Sequence, residues 1–249
     1  MTIPSEPALT KLQFYVTTPY KCGYLPDKLA QSLIATPQNL VDANVYDSLI
    51  AQGFRRSGKF AYRPHCEHCK ACVAVRLILS EFAPTRSQKR AYKQHADLTA
   101  RILPLNYLQN HFELYSSYQN LRHTEVEVSI STEEKIVEKD EAEQYRQFLC
   151  TSNVESLMIE FSDENHQVKI VSVIDVVQDG VSAVYTFYDA ADTKASYGTY
   201  SIMWLANWTK NLNLPYLYLG YWIKESQKMA YKQNYNPQQK LLSNDWVKE

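Results

Sequence analysis

The sequence predicts an α+β protein in two parts: an N-terminal α/β region with a cysteine-rich loop, residues 1–130, and a C-terminal domain on a mixed, mainly antiparallel sheet, residues 131–249. Three observations predict it. Ser156 to Phe161, Val168 to Val177 and Val181 to Tyr188 are β-branched and aromatic runs, and Gln178-Asp179-Gly180 between the last two is a hairpin signal. A strongly acidic, polar segment, Thr124 to Asp140, separates two stretches of different texture and reads as a mobile surface segment. Ahead of it, Gly53 to Arg76 packs Arg55, Arg56, Lys59 and Arg63 before Cys66, Cys69 and Cys72.

In chain order, residues up to Lys11 read as a loose tail and Leu12 to Val16 as a short strand. Thr18 to Pro26 is a loop punctuated by prolines and a glycine, and Leu29 to Ala35 a brief helical turn. Val45 to Gln52 is a helix that Gly53 stops, with Val45 and Leu49 facing inward. Val73 to Leu79 is an apolar strand. Arg86, Lys89, Arg90 and Lys93 then fall at i, i+3, i+4 and i+7, so a helix here puts four cations on one face. Such a stripe either tracks a phosphate backbone or is an ordinary solvated face.

Asn106 to Arg122 and Glu141 to Cys150 read as helices. After the three strands come a helix from about Tyr200 to Lys210, a strand from Tyr216 to Leu219, and a helix from about Lys224 to Gln233. Antiparallel strands, helix, strand, helix is the order of an acyltransferase of the N-acetyltransferase (GNAT) type. Order alone does not assign a function.

Composition narrows the partners. A formal net charge of −1 is unlike a protein that grips duplex DNA over a broad face, so any nucleic-acid contact is local. Basic residues concentrate between Arg55 and Arg101 and acidic ones between Glu125 and Glu143, a split that orients an anionic partner. Nineteen tyrosines against eight phenylalanines favour half-wet, aromatic grooves or tyrosine-rich packing at sheet edges. The start has no secretory signal, no apolar run is long enough to span a bilayer, and five cysteines do not suggest a disulfide framework. A cytoplasmic protein without a membrane partner is the expectation.

Cations interleaved with Phe54, Phe60 and Tyr62 suit a nucleic-acid strand, because phosphates need charge and bases need flat faces. Arg55, Arg56, Lys89 and Arg90 are the candidates for that contact. Cys66, Cys69 and Cys72, spaced Cys-x-x-Cys-x-x-Cys, together with Cys22, offer four thiolates to zinc or an iron–sulfur cluster, with His65 and His68 in reserve. Three reduced cysteines in a loop are the alternative. No cofactor is otherwise required. Tyr216 and Tyr218 share a strand face. With Tyr221 they frame either a ligand or the core. Cys150 falls on an apolar helix face and reads as buried and inert.

The residues also carry a resemblance. GFRRSG, YRP, the cysteine run and VAVR, then Phe14 to Tyr20, Phe187-Tyr188-Asp189, Leu214 to Ile223 and the late blocks KMAYK and YNP are similar to the bacterial aspartate/glutamate leucyltransferases of the N-end rule, relatives of arginyl-tRNA–protein transferases. The resemblance spans nearly the whole chain. It implies transfer of leucine from leucyl-tRNA to the amine of proteins beginning with Asp or Glu, which marks them for degradation.

Such a donor is an activated ester, so no enzyme nucleophile is needed. Positioning and oxyanion stabilisation do the work. Within that reading, Asp189, with Tyr188 at a strand end, takes the ammonium proton or simply starts a turn. Gly198, before a helix start, lets backbone approach the terminal phosphates of the tRNA. Lys228 joins the substrate-binding set with Tyr218 and Tyr221. An acidic acceptor residue wants a guanidinium, for which Arg76, Arg55 and Arg56 are unranked candidates. The relatives' cysteine pattern has a Cys where this chain has Leu25. Alternatives are an arginyl-tRNA or acetyl-coenzyme A donor, or a non-enzymatic RNA-binding module stapled by a metal.

Overall fold

The computed structural model describes residues 11–123 and 141–248, so the acidic segment Thr124 to Asp140 lies outside the described residues. The N-terminal part starts with β1 (Gln13–Val16), β2 (Tyr20–Lys21), β3 (Leu29–Ala30) and β4 (Ser32–Thr36). The expected helical turn at Leu29 to Ala35 is therefore strand. Pairing decides this: β4 is held by β1 on one side and by β6 (Phe60–Pro64) on the other. With β5 (Arg55–Ser57) these form an antiparallel sheet ordered β1-β4-β6-β5.

Helix α1 (Ala43–Ala51) lies against that sheet. Asp42 caps it by accepting from the Val45 amide at 2.9 Å. Its stripe Val45, Tyr46, Leu49 and Ile50 is buried. Gly53, at φ +83°, ends it in a conformation other residues adopt only with strain.

The larger sheet has eight strands, ordered β14-β13-β7-β12-β11-β10-β9-β8. They are β7 (Val73–Ile78), β8 (Thr99–Pro104), β9 (Ser156–Ser162), β10 (Val168–Val177), β11 (Gly180–Tyr188), β12 (Tyr216–Trp222), β13 (Gln238–Leu242) and β14 (Asp245–Lys248). Two strands from ahead of residue 131, β7 and β8, belong to it, so the sheet spans the expected boundary.

Alternation along β10 sends residues to opposite faces. Ile170 and Ile174 pack with α5 (Tyr197–Asn211), while Val171 and Val173 pack with α4 (Glu141–Leu149) and α3 (Gln109–His123). Helix α2 (Arg86–Gln94) lies beside α5, with Tyr92 stacked on Tyr200 at 5.5 Å. No helix among the described residues is long and apolar enough to cross a membrane.

Every neighbouring pair in the larger sheet is antiparallel except one. Strands β11 and β12 run parallel and pair only from Gly180↔Tyr216 to Ser182↔Tyr218. Beyond that, β12 continues to Trp222 and β11 to Tyr188 without further pairing, so the two strands splay toward their C-terminal ends. The helix expected over Lys224 to Gln233 is instead turns and a short 3-10 helix, Ala230–Asn234. The β13–β14 hairpin after it was not expected.

Candidate substrate groove and cationic splay

Two places gather polar side chains, and a single short element touches both. The first is a groove of about 650 Å³ between α2, the start of α5 and the 3-10 helix. Arg90, Lys194, Ser196, Thr199, Tyr231, Gln233 and Asn234 are among its walls. Helix α2 is fixed by a capping box, in which Thr85 and Gln88 satisfy each other's amides. The Gln88 side-chain amide also donates to the Asn234 carbonyl at 2.9 Å, tying α2 to the 3-10 helix. Arg86, Lys89, Arg90 and Lys93 are all exposed, as the spacing predicts.

Ser196 precedes α5 in the left-handed region and makes no side-chain cap, so the helix meets the groove without a capping side chain. A Cβ at Gly198 would meet the Tyr188 ring at 3.6 Å, an ordinary contact. Both Asp189 oxygens are engaged: Lys169 donates to one at 3.3 Å and the Ala191 amide to the other at 3.3 Å.

The second place is the crotch where β11 and β12 part. Arg55 reaches it from β5. Its Nη1 donates to Ser182 Oγ at 2.8 Å and its Nη2 to the Ala183 carbonyl. The guanidinium lies over Gly220, where a Cβ would stand 3.4 Å from Cζ, Nε and Nη2, and Gly220 is itself at φ +79° in a strand irregularity. Lys232, on the 3-10 helix, is buried beside it and donates to the Tyr221 carbonyl at 2.7 Å. Burial, and then the Arg55 charge, hold the Lys232 ammonium down to about 7. Burial raises the Tyr24 and Tyr62 hydroxyls, and both lie within the field of Arg55.

The other expected site residues make the following contacts within the protein or lie at its surface. Arg56 is buried against Asp175, with Nη2 to Oδ1 at 2.8 Å and Nε bridging both oxygens, and also donates to the Gly58 and Thr151 carbonyls. Arg76 lies 3.6 Å from the Tyr216 ring centre and 4.4 Å from that of Trp246. Its Nη1 donates to the Tyr218 hydroxyl at 2.8 Å and pairs with Asp179 at 3.4 Å. Tyr218 in turn donates to Asp179 at 3.0 Å, and Tyr221 to the Gly53 carbonyl at 2.8 Å. Tyr216 and Tyr218 do share a face, but that face holds Arg76. Lys228 is exposed.

Among the described residues no group of three His, Cys, Asp or Glu side chains could hold a metal ion. Cys22, Cys66, Cys69 and Cys72 are free. Burial pushes the Cys72 thiol up to about 12, with the other three adding. Cys66 instead accepts from the Gln31 amide at 3.5 Å and donates to its carbonyl at 3.7 Å. The expected zinc or cluster site does not fit this arrangement. Lys232 closes the KMAYK block, inside the stretch expected to be helical, and of that block only Lys228 is expected to meet substrate.

Comparison with known proteins gives consistent results. Residues 20–90 match the family model for the arginine-tRNA-protein transferase N terminus, and residues 110–242 the model for its C terminus. A Methylobacillus flagellatus protein named aspartate/glutamate leucyltransferase is 60% identical over 99% of this chain and 95% of its own. One of the same name from Polynucleobacter asymbioticus is 50% identical over 99% and 98%. The solved structure of L-PGS from Bacillus licheniformis covers 61% of this chain and 46% of its own, at 12% identity and a TM-score of 0.43, too loose a likeness to build on.

Proposed function

The chain belongs to the aspartate/glutamate leucyltransferases of the arginine-tRNA-protein transferase family, and from that premise we propose how its geometry carries the reaction. Leucine moves from leucyl-tRNA to the N-terminal amine of a protein beginning with Asp or Glu. A peptide N–C bond forms, the ester C–O bond breaks, and the tRNA leaves with a free ribose hydroxyl. The product carries a new N-terminal leucine, which marks it for degradation in the cytoplasm. Neither a membrane nor duplex DNA takes part.

The groove beside α2 takes the RNA end. Exposed cations along α2, with Arg90 and Lys194 in the groove wall, supply charge to phosphates. The uncapped start of α5 adds its positive end, which is where an acetyltransferase of the GNAT type receives its donor's phosphates. The splay between β11 and β12 then takes the ester and the incoming amine, and this parting of a lone parallel pair is what supports a GNAT-type reading. Tyr188 and Asp189 act as supports: one ring backs Gly198, and one carboxylate holds the turn ahead of α5. Catalysis is then positioning of two bound substrates, with no covalent enzyme intermediate.

Near-full-length relatedness carries this reading, and the groove and splay give it a geometry. The test offers labelled leucyl-tRNA and arginyl-tRNA, each with peptides starting in Asp, Glu, Lys or Ala. Leucine is expected on the Asp and Glu peptides alone. Arginine on those peptides, or no transfer from either tRNA, would overturn it.

A further inference from the structure

Three arginines were equal candidates for reading the acceptor's acidic side chain, and their surroundings rank them. Arg56 is neutralised by Asp175, and Arg76 by Asp179 within an aromatic cage. Arg55 is 8% exposed and has no carboxylate partner among the described residues. Lys232, 5% exposed, has none either: it donates to the Tyr221 carbonyl and lies 3.7 Å from Met229 Sδ. Two buried cations within one another's field, neither paired directly with a carboxylate among the described residues, are costly to hold, and such an arrangement is favoured where a ligand supplies the anion.

We propose that Arg55 and Lys232 form the receptor for the carboxylate of the acceptor's N-terminal Asp or Glu. The donor count allows it. A guanidinium has five N–H groups, and Arg55 spends one on Ser182 and one on Ala183. An ammonium has three, and Lys232 spends one on Tyr221 and at most a weak one on Met229. The position also fits. The pair stands at the crotch of the splay, so an acceptor held there by its side chain presents its amine between the diverging strands. Tyr24, 42% exposed, lies within the field of Arg55. An amide such as Asn has the same shape but no charge, so discrimination rests on the Arg55 charge and on the ammonium form of Lys232 that a bound carboxylate favours.

The assignment rests on the transfer reaction above, and its test separates the two. Binding of peptides starting in Asp or Asn is measured without tRNA, and kcat/KM for leucine transfer to each is measured with it, on wild type, Lys232→Met and Arg55→Lys. Wild type should favour Asp over Asn by roughly 30-fold or more, as a desolvated charge pair does. Lys232→Met should reduce that ratio to within about threefold of unity, and Arg55→Lys, which keeps the charge but not the fork, should leave an intermediate ratio. Lys232→Met should melt no lower than wild type, since it removes a buried, unpaired charge. An Asp/Asn ratio unchanged in both variants would overturn the receptor while leaving the leucyltransferase reading intact. So would weaker binding of uncharged tRNA at a constant ratio, which would make the pair a phosphate site. If no peptide receives leucine, the peptide-binding ratio alone still decides.

Discussion

Two basic segments lie only about thirty residues apart and look alike as strings, yet they fold to opposite ends. Gly53 to Arg63 turns two of its three arginines inward: Arg55 and Arg56 are both buried, one onto the splay of the large sheet and one onto Asp175. Arg86 to Lys93 turns its cations outward along α2. The difference lies in the element, not the composition. A short edge strand of the small sheet that packs onto β11 of the larger one has its arginines covered, whereas a capped helix lying beside α5 keeps one face free. Density of positive charge in a sequence therefore does not say which way it points, and the secondary structure decides whether solvent or the protein's own interior receives it.

The sharpest way to break this contrast is to truncate one side of it. Arg56→Ala leaves Asp175 charged and buried with Tyr46 above it, and should cost about 3–5 kcal/mol of stability in urea denaturation. A loss below 1 kcal/mol would mean the arginine is not the internal strut described. On the α2 side, changing Arg86, Lys89, Arg90 and Lys93 together to Gln should leave stability within about 0.5 kcal/mol. The same change should lower the slope of log affinity for leucyl-tRNA against log salt by ~3. An unchanged slope would remove the stripe from the RNA contact.

A further expected effect is in pH. Lys232 is held near 7 by burial and by Arg55, while Cys72 acts in the opposite sense. A lysine in the unfolded chain keeps its proton to about 10.4. Between those values the unfolded chain binds the proton that the folded one has lost, so wild-type stability rises with pH across that window. Lys232→Met should therefore be relatively most stabilising below pH 7, with its advantage shrinking toward pH 10, as read from urea midpoints at pH 6 and pH 9. A pH-independent difference would mean that the ammonium is not strained by its surroundings.

Much of the fold was legible where local chemistry and tertiary structure agreed. Asp179-Gly180 gives the β10–β11 hairpin, Gly53 ends α1, and the i, i+3, i+4, i+7 cations of α2 share their face. The misses come where they disagree. Leu29 to Ala35 contains helix formers, but pairing by β1 and β6 makes Ser32–Thr36 a strand. Lys224 to Gln233 has helical composition, but the Ser226 and Met229 amides bond three residues back, to Ile223 and Ser226, so the stretch forms turns that run into the 3-10 helix Ala230–Asn234. The final hairpin had a signal: Ser243 and Asn244, both at positive φ, join β13 to β14. Site residues were hardest, because counter-charge is set by distant residues. Asp175 and Asp179 neutralise Arg56 and Arg76 from more than a hundred positions away, and no spacing rule shows that Arg55 is left without one.

The 3-10 helix Ala230–Asn234 has Tyr231, Gln233 and Asn234 in the groove wall and Lys232 turned the other way, into the splay. On the proposed assignments, one five-residue element carries side chains of both the RNA groove and the acceptor receptor, so by thermodynamic reciprocity any effect of an occupant of one on affinity at the other is returned by the same factor.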